Sequence, residues 1–380
     1  MLFVVVTLVL IGVTLVYATT CHNGIEFLKS QGLRAAAGFL ALCLGAKLRH
    51  TLWNGRAKWV VLIGSVAVLV LTLAIGFVFK DATRWLKLGP FMFQPAEFAK
   101  FGLLAWLAGY FDSLKELGRD QHAFWGFLLP GMVVLGIVGL TLLQPAVGTS
   151  FIIAVASLAL FVVVGVKWRY LLVTLLVGVA LFILATTCIP HARDRWAKFR
   201  AGRHHQQEQS LIAIGSGGPF GRGLGESQQK FQFLPKMYND FIFAEIGEEF
   251  GFIGSVAVCL LYLILFLYGM KISSEARTPF GQYLAAGVTL VIFLYAVVHI
   301  AVALGLLPTT GQPLPFISSG GSALFSNLFA VGVLLNVSRY RRNGITVDLP
   351  HAPRASVLRF GPAAPTRHKV LVLGRFGGRV

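Results

Sequence analysis

Ten runs of mostly apolar residues constrain this chain more than any other feature, because each is close to the length of a membrane-spanning helix. A spanning α-helix takes about 20 such residues. The runs cover residues 2–19, 32–47, 59–79, 97–111, 126–143, 149–166, 170–189, 240–270, 281–304 and 320–338. Only 13% of the 380 residues are charged, against about a quarter in soluble domains. The sequence therefore predicts an all-α integral membrane protein with about ten transmembrane helices.

Basic residues in the short loops predict the orientation, because Lys and Arg concentrate on the cytoplasmic side. The first run begins at Leu2 without a preceding basic segment, so we expect a transmembrane helix there and no cleaved signal peptide. With a cytoplasmic N-terminus, the cytoplasmic loops hold basic residues within 47–58, 115–119, 167–169 and 271–277. The turn at 144–149 has none, whereas the loop at 80–98 has three and fits less well. We predict an N-in/C-in topology with one large extracytoplasmic loop, residues 190–239.

The predicted outer loop at 190–239 is strongly basic. It has eight Lys and Arg residues against three acids, a net charge of +5. Such a loop fits a solvated surface, and it equally fits a site for an anionic ligand, since clustered cations raise the local anion concentration. A phosphate-bearing lipid headgroup would match both its charge and its location. The glycine-rich second half of this loop leads directly to a single carboxylate, Asp240.

The C-terminal tail differs in composition from the rest of the chain. Residues 339–380 carry nine basic side chains against one acid, Asp348, and are rich in Pro and Gly. We expect residues 1–338 to form one polytopic membrane domain. We expect the tail to be cytoplasmic and mostly disordered, with anionic lipid as its default contact.

Asp240 stands where the polar loop meets the eighth apolar run. One interpretation is a helix N-cap, a position that Asp favours. The other is a catalytic carboxylate, and one residue can serve both roles.

Glu97 and Lys100 begin the fourth run with a spacing of three residues, which places them on one helix face. They form either a structural ion pair or a charged element that lines a substrate cavity. Glu245, Glu248 and Glu249 also share a helix face. Three carboxylates so close together are costly to ionise at low dielectric, and we favour cationic partners for them.

Residues 307–322, LPTTGQPLPFISSGGS, interrupt two apolar runs with Gly, Pro and Ser. Irregular backbone at membrane depth is tolerated where it is buried or lines a cavity. The length of this segment favours a substrate groove over a plain turn. The sequence has no nucleotide-binding loop, zinc motif or Gly-x-Ser-x-Gly elbow, so it gives no support to ATP-driven chemistry.

An ordered set of motifs across residues 84–338 resembles the SEDS family (shape, elongation, division and sporulation) of the FtsW, RodA and SpoVE type. The pieces are Arg84-Trp85, Gln94-Pro95-Ala96-Glu97 with Lys100, Gln144-Pro145 with Gly148-Thr149, Gln209 through Gly218, Phe233-Leu234-Pro235, Asp240-Phe241-Ile242-Phe243 with Glu248-Glu249 and Gly251, Leu307-Pro308 through Gly311, Leu314-Pro315, and Ser318 through Ser322. Each piece alone is weak, but the ordered set is specific. The stretch from Gly225 to Lys230 looks closer to the FtsW division branch.

The resemblance implies a peptidoglycan glycosyltransferase that polymerises lipid II at the outer face of the bacterial cytoplasmic membrane. The implied partners are lipid II, the lipid bilayer, a class B penicillin-binding protein (a transpeptidase) and other divisome or elongasome membrane proteins, with no nucleic acid. By the resemblance, Asp240 is the essential acid. The implied substrate-binding residues are Glu97, Lys100, Arg195, Gln209, Ser210, Lys230, Ser318, Gly320 and Gly321. No cofactor is evident, although a divalent cation (Mg or Mn) at the pyrophosphate is compatible with this chemistry.

The sequence departs from the family pattern at three places. Ala146 stands where the Gln-Pro-Asp motif has its acid, and Ser319 stands where Ser-Tyr-Gly-Gly-Ser has its tyrosine. The loop from Phe199 to Gln209 is short and lacks the usual Asp-Pro and Gly-Tyr-Gln pattern. Ala146 and Ser319 keep open a non-catalytic divisome assembly factor beside the enzyme. A flippase for the lipid-linked precursor is a further alternative, because it needs the same basic groove and the same helical bundle. A flippase needs charges along a full path through the membrane, whereas the charges here cluster toward the predicted outer ends.

Overall fold

The computed structural model describes residues 1–20, 26–79, 82–88, 91–119, 122–188, 190–201, 205–227 and 237–340. The tail beyond 340 and the loop residues at 228–236 lie outside this described part. The described residues form thirteen α-helices: α1 (Leu2–Thr20), α2 (Glu26–Lys47), α3 (Ala57–Ile75), α4 (Ala96–Glu116), α5 (Leu129–Leu143), α6 (Val147–Val164), α7 (Trp168–Cys188), α8 (Pro190–Arg200), α9 (His205–Ser216), α10 (Met237–Asp240), α11 (Ile242–Glu275), α12 (Pro279–Ala303) and α13 (Gly321–Arg339). A 3-10 helix (His50–Trp53) precedes α3, and a π-helix (Ala123–Leu128) runs into α5.

Each of the ten apolar runs coincides with one long helix, which confirms the helical membrane class. The helices are α1 to α7 and α11 to α13. Seven of the described helical stretches are long and apolar enough to cross a bilayer, namely α1, α3, the π-helix with α5, α6, α11, α12 and α13. The described apolar stretch of α7, Trp168–Ala180, is shorter. The span count of ten and the orientation remain predictions.

A small antiparallel sheet connects α3 to α4, and the sequence pattern did not predict it. Its strands β1 (Phe77–Phe79), β2 (Ala82–Leu88) and β3 (Phe91–Phe93) pair in the order β1-β2-β3. The third apolar run was expected to continue to residue 79, but α3 ends at Ile75. The backbone turns extended at Gly76, where a Cβ would clash with the Thr72 carbonyl oxygen.

The helices pack around α4 and α12, whose residues are largely buried. Trp106 and Phe111 of α4 and Tyr295 of α12 are among the largest fully buried side chains described. At another contact, α2 and α13 approach closely enough to require glycine. A Cβ at Gly332 would clash with the carbonyl oxygen of Leu42.

The α11 helix is broken at Gly251, whose φ of +66° is outside the helical range. Its 34 residues would span about 51 Å if straight, well beyond a hydrocarbon core of about 30 Å. The glycine-rich loop docks at the break with backbone hydrogen bonds from Gly223 N to Glu249 O (3.1 Å) and from Phe252 N to Gly218 O (2.9 Å). This loop therefore pairs with backbone groups around the kink.

Candidate active site

The irregular connection between α12 and α13, residues 304–320, is the centre of the site and is called here the α12–α13 segment. Its middle is buried, and Leu314, Phe316 and Ile317 are at most 2% exposed. Phe316 has a φ of +70°, an uncommon conformation for a bulky residue that costs of order 1–3 kcal/mol. Tyr262 of α11 donates a hydrogen bond to the Pro315 carbonyl. Surrounding contacts thus hold a strained backbone in place.

Ser318 connects this segment to the residue before Asp240. The Ser318 hydroxyl donates to the Asn239 carbonyl oxygen at 2.8 Å and accepts from the Leu314 amide at 2.8 Å. The Asn239 amide in turn donates to Oδ1 of Asp240 at 2.8 Å. Asp240 itself is half-buried. The carboxylate is therefore held beside the α12–α13 segment, with part of its surface open.

The N-cap interpretation of Asp240 is wrong in this structure. Asp240 is the last residue of α10, whereas α11 begins at Ile242 with Phe241 in the N-cap position. The Phe241 backbone has a φ of −136°, and its side chain makes no capping hydrogen bond. Because the chain turns one residue later than the sequence suggested, the carboxylate precedes the cap position.

Glu97 and Lys100 form the ion pair that their spacing indicated. Lys100 Nζ lies 2.6 Å from Oε2 of Glu97, and the two side chains are each about 1% exposed. Tyr295 of α12 donates to Oε1 of Glu97 at 3.3 Å. The lysine ammonium lies 4.0 Å from the centroid of the Tyr295 ring. A buried charge needs such compensation, and Tyr295 supplies it from a helix that the motif analysis did not single out.

Ser322, in the first turn of α13, ties the α12–α13 segment to the chain ahead of the ion pair. Its hydroxyl accepts from the Gln94 amide at 3.2 Å and donates to the Met92 carbonyl at 3.1 Å. The motif that starts at Gln94 and the motif that ends at Ser322 are therefore adjacent, although 228 residues separate them in sequence.

The start of α6 contacts the same segment through Gln312. Thr149 Oγ1 donates to Oε1 of Gln312 at 3.3 Å, and Nδ1 of His299 lies 2.8 Å from the Gln312 carbonyl oxygen. Gly148 is required by this approach, because a Cβ there would lie 2.9 Å from Nε2 of Gln312 and from Cβ of Thr310.

The helix α9 anchors at the other side of the segment. Ser210, predicted to bind substrate, is fully buried, and its hydroxyl donates to the Ala303 carbonyl at 2.8 Å. Gln207 donates to the Leu307 carbonyl at 2.5 Å. Ser210 thus holds α9 against the end of α12, whereas Gln209 between them is half-buried.

The remaining predicted residues are distributed as follows. Gly320 is the N-cap residue of α13, and Gly321 is its first residue. Arg195 belongs to α8, but its side chain lies outside the described structure, as does all of Lys230.

Arg34 of α2 was missed, although a lone cation inside an apolar run could have revealed it. Its Nη1 donates to the Ser319 carbonyl at 3.0 Å, and its Cδ would lie 3.4 Å from a Cβ at Gly321.

The three glutamates of α11 are all buried. Their described partners include the Thr19 hydroxyl for Glu245, the Ser227 hydroxyl at 2.6 Å for Glu248 and the Gly225 amide at 2.9 Å for Glu249. The donors in these contacts are hydroxyl and amide groups. Cationic partners for the three glutamates remain a prediction. Within the described ranges, no group of three or more His, Cys, Asp or Glu side chains could hold a metal ion.

Motifs that are far apart in sequence therefore converge on one irregular segment of a helical membrane protein. This fold and this site define a polytopic membrane protein with a half-buried carboxylate and a buried lysine at one end of its bundle. A profile of the FtsW/RodA/SpoVE family, described as "Cell cycle protein", matches residues 1–343. The chain belongs to this family, which confirms the SEDS resemblance.

Individual relatives agree with this membership. The chain is 36% identical over 359 residues to the probable peptidoglycan glycosyltransferase FtsW of Trichlorobacter lovleyi, covering 89% of this chain and 92% of the relative. It is 34% identical over 359 residues to stage V sporulation protein E of Bacillus subtilis, covering 90% and 97%. Relatives named FtsW at 36–38% identity support the closer similarity to the division branch.

Two solved structures share the fold. The rod shape determining protein RodA of Thermus thermophilus matches with a TM-score of 0.69 and 28% identity, over 90% of this chain and 96% of RodA. A chain from a peptidoglycan synthase complex, described as coordinating polymerization and crosslinking, matches with a TM-score of 0.75 and 28% identity, over 90% and 97%.

Proposed function

We propose that this chain is a peptidoglycan glycosyltransferase that polymerises lipid II into glycan strands at the outer face of the bacterial cytoplasmic membrane. Its named relatives support this activity, in cell division or cell-shape maintenance. One observation carries the proposal. Ser318 of the α12–α13 segment bonds the chain next to Asp240, and Ser322, two residues beyond this segment in the first turn of α13, bonds the chain leading into the Glu97–Lys100 pair. The proposed base and the proposed phosphate ligand are thus attached to one short stretch of chain.

The reaction is glycosyl transfer with inversion. The 4-hydroxyl oxygen of an acceptor sugar attacks the anomeric carbon of a donor, and the bond from that carbon to undecaprenyl pyrophosphate breaks. Asp240 takes the hydroxyl proton as general base, a role that requires a positioned carboxylate with access to substrate. The hydrogen bond from Asn239 orients it, and its half-buried position supports that access.

Cations stabilise the charge that develops on the leaving pyrophosphate. Lys100 and Arg195 take this role, while Glu97 and Tyr295 hold the lysine in place. Because Lys100 is 1% exposed, it acts on a substrate group that enters the bundle. Gln209, Lys230, Gly320 and Gly321 are proposed to contact the rest of the headgroup. Ser210 acts by fixing α9, and the buried Ser318 acts by holding the chain next to Asp240 rather than by touching substrate.

A cavity of about 220 Å³ between α3, α4, α12 and α13 lies beside the Lys100 helix. Phe98 and Phe101 of α4 and Phe329 of α13 line it. We assign it to part of the donor's polyprenyl chain, since apolar walls suit a hydrocarbon. A divalent cation (Mg or Mn) at the pyrophosphate remains compatible with the reaction, and no step is assigned to one.

The topology belongs to the same proposal. Ten spanning helices with N-in/C-in orientation place Asp240 and the α12–α13 segment outside, where lipid II is displayed. A class B penicillin-binding protein and other divisome or elongasome proteins are the proposed partners. The polymerizing and crosslinking complex among the structural relatives supports the first of these.

Purified protein with its partner, incubated with labelled lipid II and analysed on a gel for glycan strands, tests the function. Strand synthesis that depends on Asp240 supports it. Transport of lipid II across liposomes without strand synthesis would favour the flippase. Partner binding with neither activity would favour an assembly factor, the alternative motivated by Ala146 and Ser319.

A further inference from the structure

Arg34 lies inside the second apolar run, on α2, and its side chain reaches the α12–α13 segment and the first residue of α13. Its Nη1 donates to the Ser319 carbonyl at 3.0 Å. Its stem runs beside Gly321, where a Cβ would lie 3.4 Å from Cδ and 3.5 Å from Nε of the arginine. Arg34 is nevertheless exposed. A charge within an apolar span is costly and marks sites that handle substrates or ions, whereas a neutral donor would be enough to hold one carbonyl.

Arg34 and the chain next to Asp240 contact successive residues of the α12–α13 segment. The Ser319 carbonyl accepts from Arg34, and the Ser318 hydroxyl donates to the Asn239 carbonyl at 2.8 Å. Consecutive Cα atoms are about 3.8 Å apart. The guanidinium group and the proposed base are therefore attached to the same turn of this segment.

The helices α2 and α13 run parallel, and their register places a second polar side chain at this level. Three contacts join residues that are 290 positions apart, namely Gly38–Leu328, Leu42–Gly332 and Ala46–Asn336. Continued toward the N-terminus, this register puts Gln31 level with Gly321. Gln31 faces α13, because spacings of seven and eleven residues put it on one helix face with Gly38 and Leu42. It is 1% exposed, and its Oε1 has no hydrogen-bond partner among the described residues.

The start of α13 suits an anionic ligand that also carries hydrogen-bond donors. Gly320 is the N-cap residue, no described side chain caps the helix, and its first turn has no acid. The first amide groups of a helix attract negative charge, and Arg34 adds a full positive charge beside Gly321. The Gln31 carbonyl oxygen at the same level lacks a donor, which a buried acceptor ordinarily has. The headgroup of a lipid-linked glycan has both phosphate oxygens and hydroxyl or amide donors.

We propose that Arg34 binds a phosphate group of the lipid-linked glycan substrate at the start of α13. This inference rests on the proposed function, because it names a further residue that contacts the substrate of that reaction. Lys100 is 1% exposed and acts on a group that has entered the bundle. Arg34 is exposed and meets the headgroup at the surface, where a guanidinium group forms charge-assisted hydrogen bonds with phosphate oxygens.

Substitutions at Arg34 separate its charge from its packing. Arg34→Lys keeps the charge, whereas Arg34→Met keeps a long apolar stem without a charge or an N–H donor. Lys29→Met is the matched control, because Lys29 is an exposed cation of the same helix that lies about 140° around the helix from Arg34. The probes are undecaprenyl pyrophosphate, undecaprenol and phosphatidylglycerol, each titrated into the full-length protein in detergent. Thermal unfolding checks that every variant is folded.

Arg34→Met should weaken the binding of undecaprenyl pyrophosphate by about tenfold, the scale of one charge-assisted hydrogen bond. Arg34→Lys should weaken it by about threefold, since an ammonium group keeps the charge without the planar fork. Lys29→Met should bind this probe as the wild type does, and undecaprenol, which has no phosphate, should bind all variants alike. Equal dependence of phosphatidylglycerol binding on Arg34 would make the residue a general lipid contact and overturn the proposal. Unchanged binding of undecaprenyl pyrophosphate by folded Arg34→Met protein would overturn it as well.

The kinetics of strand synthesis distinguish substrate binding from positioning. A contact made alike with bound substrate and transition state raises KM and leaves kcat unchanged, so Arg34→Met should raise KM for lipid II by about tenfold. A fall in kcat at unchanged KM would mean that Arg34 acts only by holding Ser319, and the proposal would be wrong. If the wild type binds undecaprenyl pyrophosphate through Arg34 but makes no strands, the proposed function fails and the phosphate contact stands.

Discussion

Lys58 and Lys100 are both buried against α4, yet their surroundings differ. Lys58 Nζ donates to the Gly109 carbonyl at 2.7 Å and to the Ser113 hydroxyl at 2.6 Å, both in the second half of α4. Lys100, in the first turn of α4, pairs with Glu97 and lies over the Tyr295 ring. Lys58 hydrogen-bonds neutral acceptors in the neighbourhood of the Asp112 and Glu116 carboxylates, whereas Lys100 forms a direct ion pair that also contacts a second helix. Burial alone therefore does not define the role of a lysine.

The same contrast extends to the two ends of the bundle. We call the end with Asp240 and the α12–α13 segment the site end. At the opposite end, Asn336 accepts from the His50 amide at 2.9 Å and donates to the Ala46 carbonyl at 2.9 Å. At the site end, Asn239 Oδ1 and His299 Nε2 are buried without a hydrogen-bond partner among the described residues. Strain and unsatisfied polar atoms concentrate where function requires them, so the comparison predicts where substitutions act on catalysis and where they act on stability.

The largest contrast is expected between Asp240 and Asp112. Asp240→Ala should lower glycan polymerisation by at least about 10²-fold, the lower bound for a lost general base, while the protein stays folded. Asp112→Ala removes the acceptor of the Asn54 amide, a 2.7 Å bond. It should cost about 1.5–3 kcal/mol of stability, the scale of a hydrogen bond to a charged group, with activity per folded molecule retained. Strand gels and thermal unfolding of both variants measure the two effects. Normal polymerisation by folded Asp240→Ala protein would end the general-base assignment.

The next contrast lies within the lysine comparison. Glu97→Ala and Lys100→Ala should each cripple polymerisation, because each leaves one uncompensated buried charge. The charge-swapped double variant should stay inactive, since Lys100 must face the pyrophosphate. Lys58→Ala should lower stability and leave the specific activity near wild type. A fully active charge swap would show that the Glu97–Lys100 pair is only structural, and that the two lysines do not differ in role.

A smaller effect is expected at Ser318, which links the α12–α13 segment to Asn239. Ser318→Ala leaves the Asn239 carbonyl and the Leu314 amide unpaired, so Asp240 should lose its fixed position. We expect kcat to fall by about tenfold, corresponding to about 1.4 kcal/mol, and Ser318→Thr to restore most of it. Ser113→Ala, which removes an acceptor of Lys58, is the control at the opposite end. A similar loss of kcat in both alanine variants would remove the distinction between the ends.

Sequence reasoning located the elements better than their connections. Apolar runs predicted all ten long helices, because length and hydropathy are local properties. The three-residue spacing predicted the Glu97–Lys100 contact for the same reason. The sheet at 77–93 was missed because β1 continues the apolar run of α3, whereas the charged residues that follow in β2 were interpreted as a loop. The N-cap interpretation of Asp240 was wrong because α11 begins one residue later than the sequence suggested, which gives the cap position to Phe241.

What the sequence could not provide is the convergence on the α12–α13 segment. The hydrogen bond from Arg34 to Ser319 spans 285 residues, and that from Tyr295 to Glu97 spans 198. No periodicity or spacing encodes contacts of such separation. The family resemblance implied that these motifs form one site. It did not identify the serine hydroxyl groups that join them.

At the opposite end, His50 is expected to have a modest effect on stability alone. Burial lowers its pKa below 6.5, an effect partly offset by the hydrogen bond to Asn336. Since the unfolded state then binds the proton more tightly, the contribution of neutral His50 is complete above about pH 6.5 and is lost as the pH falls through the folded-state pKa. Thermal unfolding between pH 8 and pH 5 should show a steeper fall for wild type than for His50→Gln. Parallel curves would mean that His50 does not titrate as its surroundings imply.

The smallest effect is expected for the C-terminal tail. The family profile ends at residue 343, and the nine basic residues from Arg339 onward face one acid, a composition that cannot build a core. In the proposed topology the tail is across the membrane from Asp240. A chain truncated after Asn343 should therefore polymerise lipid II in detergent at a near-normal rate when it is purified with its partner. Its placement in cells is a separate matter, because each surface cation contributes about 1 kcal/mol of attraction to anionic lipid. If truncation stopped strand synthesis while folding and partner binding persisted, catalysis would depend on both faces of the membrane, and the division into a site end and a structural end would fail.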